Sequence, residues 1–352
     1  MNELPVEILV EVLSRLPYKS LCRFTCVSKE WHSLISSPDP GLVKDLRHRL
    51  HPNPYLYIWD FNKYFDDDRL TLRLSIVDIA NERIQENHYL PYGYSNFYYL
   101  VSCHNFICFV GSMISIHNLS TQETAVVPDT VDYGDVGFGY SSLSNEYKVV
   151  KWFMQDAEGI SMGCKIFSLS DRLTFKSDSW RLTETRPFED LSGNPASVNG
   201  VIYWLMYTQN HPNFYQMDSI LATDLDKEES EIISCPELSP STRAYLLELK
   251  ECLYLAHCSS EKAIVEMWRL EDPKNCVWVS EYYINLSSIR YAIVPLTSVL
   301  VGHVEKLVFI PSGGRALLYY NVETGTMSTP DNLVHLKQHR LELPCVLKYM
   351  EF

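Results

Sequence analysis

The chain has 352 residues, 46% of them apolar, which is enough for a sizeable core and too many for a wholly disordered chain. Its formal charge is −14; residues 1–50 hold seven basic and six acidic side chains, so the remainder carries −15. An acidic body argues against nucleic-acid binding, which needs a basic face, and no run approaches the ~20 apolar residues of a membrane span.

The first forty residues read as three short helices. Pro5 suits a first helical turn, where its missing N–H costs nothing. Ile8, Leu9, Val12, Leu13 and Leu16 then repeat at helical spacing, and Pro17 ends the run. Leu21, Phe24 and Val27 mark a second pattern over Ser20–Val27. Ser28 is placed to cap a third helix whose buried face is Trp31, Leu34 and Ile35. Helices this short, in a piece this small, are marginal alone. Periodicity by itself allows a cap on the downstream domain or a docking module completed by another protein. Residues 41–54 read as a linker or short helix.

Beyond Pro54 the pattern changes to short apolar runs separated by turn-forming clusters, which are strand signals. One block recurs: an apolar strand, a polar residue, then Leu, Ile or Val, then a turn. Its polar positions are Asp78, Asn118, Ser168, Asp224, Arg269 and Asn321. The intervals of about 40 to 56 residues fit four-stranded propeller blades. Asn199-Gly200 predicts a tight hairpin turn, and Glu305-Lys306 a reversal between Val299–Val304 and Leu307–Ile310. Gly313-Gly314 reads as a further hairpin turn. Six such units suggest a closed ring, which removes exposed sheet edges. Cys345–Met350 is placed to pair with the first strand near Tyr55–Trp59 and seal it. A β-sandwich is the competing architecture. The fold class expected is therefore α+β multidomain: a three-helix leader over 1–40, then an all-β, six-bladed propeller over 55–352.

Chemistry is sparse. No nucleophile elbow, zinc-protease helix, P-loop or dinucleotide fingerprint occurs. Gly134, Gly137 and Gly139 sit in a strand pattern and read as turn and close packing. Asp66-Asp67-Asp68 reads as a solvated loop. The ten cysteines include no C-x-x-C pair and read as buried apolar residues of a reduced protein. No secretory signal is evident, so a cytoplasmic or nuclear location is expected. No metal or cofactor is implied. Candidate partner-binding stretches are Asn87–Phe97, Val131–Asp135, Gln155–Gly163, Tyr207–Met217 and Asp272–Cys276. The acidic body favours a basic or neutral partner, although it also serves solubility.

Two stretches resemble a known family. Leu4-Pro5, the Leu16-Pro17 break and Val27-Ser28-Lys29-x-Trp31 with Leu34 and Ile35 resemble an F-box. Ser102-Cys103, Ile107-Cys108, His117-Asn118, Gly137-Phe138-Gly139-Tyr140 and Tyr147-Lys148-Val149-Val150 resemble the F-box-associated region of plant F-box proteins, a kelch-like propeller. Two departures are His104-Asn105-Phe106, where the family has Asn-Gly, and His117-Asn118-Leu119, where it has Trp-Asn-Pro. The resemblance implies a non-catalytic receptor subunit of a ubiquitin ligase. The leader would bind a Skp-type adaptor, and through it a cullin and a RING protein, while the β domain binds a target. The adaptor-facing residues it implies are Leu4, Pro5, Ile8, Leu9, Leu16, Pro17, Leu21, Val27 and Trp31, although Trp31 could instead lock the helices together. A non-degradative scaffold, or a propeller enzyme or small-molecule binder with a helical cap, are the alternatives.

Overall fold

The short apolar runs become strands buried on both faces. In the strand Val201–Thr208, Ile202, Trp204 and Met206 point to one side and Tyr203 and Leu205 to the other, and all five are buried. Side chains alternate along a strand. A sheet of such strands therefore needs another sheet packed on each face.

The structure is a computed structural model that describes residues 8, 9, 12, 27, 28 and 31, and then the strands and most turns between 55 and 329. These are 55–63, 70–78, 83–92, 97–104, 106–111, 113–118, 121, 123–128, 134–156, 158–170, 180–188, 190–191, 195–208, 216–237, 243–259, 263–286, 293–301, 304–311 and 317–329. A three-stranded antiparallel sheet comes first: β1 (Tyr55–Lys63), β2 (Leu70–Asp78) and β3 (Arg83–Tyr92). Five blades follow in chain order. Blade 1 is β4 (Phe97–Cys103), β5 (Phe106–Gly111), β6 (Ile114–Asn118) and β7 (Thr124–Val126). Blade 2 is β8 (Gly134–Ser141), β9 (Glu146–Met154), β10 (Ser161–Leu169) and β11 (Arg181–Pro187). Blade 3 has a split inner edge, β12 (Asp190–Leu191) and β13 (Ala196–Val198), both paired with β14 (Val201–Thr208), followed by β15 (Gln216–Asp224) and β16 (Glu229–Ser234). Blade 4 is β17 (Arg243–Leu249), β18 (Cys252–Ser259), β19 (Ile264–Asp272) and β20 (Val277–Asn285). Blade 5 is β21 (Ile293–Val301), β22 (Val304–Pro311), β23 (Leu318–Asn321) and β24 (Thr326–Ser328).

The β domain is thus a propeller in which five blades are formed. The unit expected as a further blade, β1–β3, has three strands. Cys345–Met350, Asp66-Asp67-Asp68 and Gly313-Gly314 lie outside the described residues.

Inner strands stand side by side about the axis: β4 beside β8, β8 beside β13, β13 beside β17 and β17 beside β21. Each blade junction has its own core. Val101, Phe106 and Ile116 of blade 1 meet Phe138, Val149 and Phe167 of blade 2. Trp152 and Ile166 of blade 2 meet Ile202, Trp204 and Leu221 of blade 3. Tyr203 and Ile220 meet Leu253 and Leu255, and Tyr254 and Met267 meet Leu307 and Phe309. Each such fully buried side chain contributes about 1.5–3 kcal/mol. Cys103, Cys108 and Cys164 are buried, in keeping with their reading as small apolar residues, whereas Cys235, Cys252, Cys258 and Cys276 are half-buried.

The repeated block has a physical cause. In blades 1, 3 and 5 it ends the third strand and its polar side chain organises the following turn, whereas in blade 2 the Ser168 hydroxyl is buried with no hydrogen-bond partner among the described residues. Asp224 Oδ1 accepts the amides of Asp226 and Lys227 at 2.9 and 3.0 Å. Asn321 Oδ1 accepts those of Glu323 and Thr324 at 2.9 and 3.1 Å, and Asn118 Oδ1 that of Thr121 at 3.2 Å. These are Asx turns. In blade 4 the residue doing this is Asp272, whose Oδ1 accepts from Lys274 and Asn275, and not Arg269 as the repeat predicted. The β19–β20 pairing is bulged twice: Glu281 is the extra residue of β20 at Met267/Trp268 and Glu271 that of β19 at Leu270/Asp272, and β19 runs on past Arg269 to Asp272.

Asn199 and Gly200 both have positive φ, 48° and 79°, as a two-residue hairpin turn requires. The reversal expected at Glu305-Lys306 lies instead between Val301 and Val304, which pair directly, so Glu305 and Lys306 belong to β22. Gly302-His303 separates the paired valines and suits a reversal better than two charged residues.

Close packing accounts for Gly137: a Cβ there would lie 2.6 Å from the Trp204 ring and 2.7 Å from Ile202 Cγ2. Gly137→Val is expected to push blades 2 and 3 apart at a cost of about 2 kcal/mol or more. A thermal melt checks this, and an unchanged melting temperature would contradict it.

Candidate functional site

The described leader residues are partly exposed. Ile8, Leu9, Val12 and Trp31 are helical, and Val27 lies in a turn. Ser28 caps as its position predicts: its Oγ accepts the Trp31 amide at 3.0 Å. Ile8 is 50% exposed, Val12 49% and Val27 63%, whereas Leu9 and Trp31 are half-buried. Leu4, Pro5, Leu16, Pro17 and Leu21 lie outside the described residues. Large apolar side chains held on helical turns and left in water are what an unfinished interface presents.

The propeller has two unlike ends. Turns joining first to second strands and third to fourth strands gather at one end, and polar contacts latch each junction there. His104 Nδ1 and Tyr147 Oη lie 3.0 Å apart between blades 1 and 2. Between blades 2 and 3, Asp226 accepts from Ser141 Oγ at 2.5 Å and from the Leu143 amide at 3.1 Å. The buried Lys148 ammonium donates to the Leu225 carbonyl at 2.5 Å and to Glu228 at 2.8 Å. Arg181 grips the same Glu228 carboxylate with two hydrogen bonds of 2.8 Å. Asn199 Nδ2 donates to the Glu251 carbonyl at 2.9 Å between blades 3 and 4, and Lys250 binds Glu305 at 2.9 Å between blades 4 and 5.

These latches shift proton affinities. Hydrogen bonds from Arg181 hold the Glu228 carboxyl at about 2, against burial and with help from Lys148. Burial works against the Lys250 ammonium, yet Glu305 and the Tyr282 hydroxyl keep its pKa above the usual lysine value. Sequence reading missed these contacts, since the partners lie about 40 to 80 positions apart.

The opposite end gathers the second-to-third turns and the connections between blades. Four of the five predicted partner-binding stretches open here: Asn87–Phe97 leads into β4, Val131–Asp135 into β8, Gln155–Gly163 joins β9 to β10, and Tyr207–Met217 joins β14 to β15. Asp272–Cys276 belongs to the latched end. Asp135, near the start of β8, has its carboxyl pushed up to about 7 by burial and then by the nearby Asp190 charge. Its neighbour in sequence, Val136, is fixed to blade 1, donating its amide to Tyr99 Oη at 2.7 Å and accepting that hydroxyl at 2.9 Å. The latched end carries polar contacts at four blade junctions, and the open end carries the connections between blades.

Comparison with known proteins supports the same division. The family described as "F-box associated beta propeller domain" matches residues 65–332, and the F-box domain matches residues 1–42. A putative F-box protein of Arabidopsis thaliana is 26% identical over 294 residues, covering 76% of this chain and 86% of the relative. A putative F-box/kelch-repeat protein of the same plant is 24% identical, covering 82% and 73%. Among solved structures, oligogalacturonate lyase in complex with manganese aligns with a TM-score of 0.44 at 10% identity, covering 79% and 84%. The nidogen/laminin complex aligns with a TM-score of 0.45 at 12% identity, covering 85% and 97%.

The latch between blades 2 and 3 is open to test. Glu228→Gln weakens the partner of a buried ammonium and should cost about 1.5–3 kcal/mol at neutral pH. Because the folded-state pKa of Glu228 is depressed, its contribution is present above the ordinary glutamate range and is lost as pH falls from about 4.5 toward 2. The gap in melting temperature between wild type and Glu228→Gln should therefore close over that window. A gap that stays constant would contradict the assignment.

Proposed function

The chain belongs to the plant F-box proteins that carry an F-box-associated β-propeller domain, and on that premise we propose that it is the target-recognition subunit of a Skp–cullin–F-box ubiquitin ligase. The observation that carries the reading is the joining of an F-box, with Ile8, Val12 and Val27 exposed, to an F-box-associated propeller. In this reading Leu4, Pro5, Ile8, Leu9, Leu16, Pro17, Leu21, Val27 and Trp31 form the adaptor-facing surface of a three-helix module. The adaptor links them to a cullin and a RING protein in the cytoplasm or nucleus. The chain itself is non-catalytic. It contributes by proximity, since holding a target lysine near the charged enzyme raises its effective concentration.

The same reading places the F-box at 1–40, a linker at 41–54 and the propeller at 55–352. It also gives the ring a sixth blade. In blades 1, 3 and 5 the turn-organising polar residue, Asn118, Asp224 or Asn321, ends the third strand. The equivalent Asp78 ends β2, the middle strand of the first sheet. By that alignment β1, β2 and β3 are the second, third and fourth strands, and the strand lacking is the inner one. Cys345–Met350 is the apolar run that supplies it, beside β1.

Two experiments test this. Co-expressed with a Skp-type adaptor, the intact chain should co-purify with it, and Leu16→Asp with Pro17→Asp should abolish recovery. Equal recovery, or no complex from the intact chain, would sink the receptor reading. Separately, Val346→Pro with Leu347→Pro should disrupt the closing strand and cost about 3 kcal/mol or more. An unchanged melting curve would remove the sixth blade.

A further inference from the structure

The turn joining β9 to β10 is ordered by its own side chain and yet presents apolar surface to water. Asp156 accepts the Ile160 and Ser161 amides at 2.8 Å each, and the Ser161 hydroxyl as well. The Gln155 amide reaches the Ser161 carbonyl at 3.0 Å, and Gly159 turns the chain at a φ of +69°. The Phe188 amide, just past β11, donates to the Ile160 carbonyl at 2.8 Å and ties the turn to the blade. On this frame Met154 is 50% exposed and Ile160 65% exposed. Met154 extends beside Gly159, its Sδ and Cε each 3.8 Å from where a Cβ would stand, so no side chain there screens it. Among the described propeller residues, Leu143 is the other highly exposed apolar side chain in a turn, and it lies at the latched end. Exposed apolar residues elsewhere in the propeller, such as Leu182, Ile232 and Tyr283, stand on strands.

The rim around this turn is acidic. Glu158 lies exposed in the turn itself, and β8 pairs half-buried Asp135 with Trp152, two residues before Met154 on the same face of β9; burial and then the Asp190 charge push the Asp135 carboxyl up to about 7. The described cation at this rim of blade 2, Arg186, is held by Glu184 at 3.0 Å and lies over the Trp152 ring. Lys151 and Lys165 are deeper, buried within the sheet. An apolar partner side chain seated on Met154 and Ile160 would therefore have its flanking groups facing carboxylates. Charge complementarity of this kind selects partners and speeds encounter.

We propose that Met154 and Ile160 form a docking site for a target-protein segment in which a large apolar side chain is flanked by Lys or Arg. This rests on the receptor reading above and names where and what the propeller would recognise.

The test uses the full chain with its adaptor and three fluorescent twelve-residue peptides: alternating Lys and Leu, its Glu/Leu counterpart and its Lys/Ser counterpart. The Lys/Leu peptide should bind at least tenfold more tightly than either counterpart. Met154→Ser with Ile160→Ser should weaken it at least tenfold, and Leu143→Ser, at the other end, should leave it unchanged. Equal binding of all three peptides, no loss in the double variant, or the same loss in Leu143→Ser would overturn the site. So would conversion of a self-associated chain to monomer by the double variant, since the occupant would then be a second copy. Both substitutions lie far in sequence from the F-box, so adaptor recovery should stay normal in the double variant. Normal recovery with unchanged peptide binding ends this proposal and leaves the receptor reading intact. Loss of adaptor by the wild-type chain ends the receptor reading.

Discussion

Burial of both faces of every blade is the constraint on which the propeller depends. Val150 and Trp152 of β9 turn toward blade 3, while Val149 just before them turns toward blade 1. A sheet built of such strands leaves a whole apolar face in water unless a neighbour covers it, at roughly 25 cal/mol for each Å² left exposed. The arrangement that satisfies every sheet in turn is radial, and it leaves few open edges. The glycines follow from the same demand: blades 2 and 3 can meet at Trp204 because Gly137 has no side chain to hold them apart.

With the faces committed to the core, specificity is left to the two ends, and these are put to different uses. At one end side chains from each blade reach the next, as Lys148 reaches Glu228 and Lys250 reaches Glu305. A buried ammonium such as Lys148 is tolerated because a carbonyl and a carboxylate both accept from it. The other end carries the connections between blades. A scaffold latched on one side and variable on the other can present loops without loosening the blades beneath them. The leader has the complementary character. Its exposed Ile8, Val12 and Val27 stand on turns too short to be stable alone.

Much of this was legible in the sequence. Strand-turn-strand units, the Asn199-Gly200 hairpin and the buried cysteines follow from alternation and turn chemistry, which are local. The polar block was visible as a repeat before its role was known, because an Asx turn needs its oxygen two or three residues before the amides it accepts. That reading failed in blade 4, where the Asx residue is Asp272, at the end of a bulged β19, and Arg269 only matches its sequence pattern. The split of the blade 3 inner edge into β12 and β13 was also missed, since two residues of pairing carry too little pattern. The latches were illegible for a different reason: Asn199 and Glu251, or Lys148 and Glu228, meet only after blades pack. Ile160 fell within Gln155–Gly163, already read as a partner-binding stretch, but only the turn built by Asp156 shows that it and Met154 are left outside.

The division of labour between leader and propeller is most directly tested by hydrogen–deuterium exchange of the full chain, with and without a Skp-type adaptor. Slow exchange should appear on adaptor binding within residues 1–40, while the amides of β4 to β24 remain unchanged. Protection spread over the blades, or none in the leader, would contradict a docking module that works apart from the domain choosing the target.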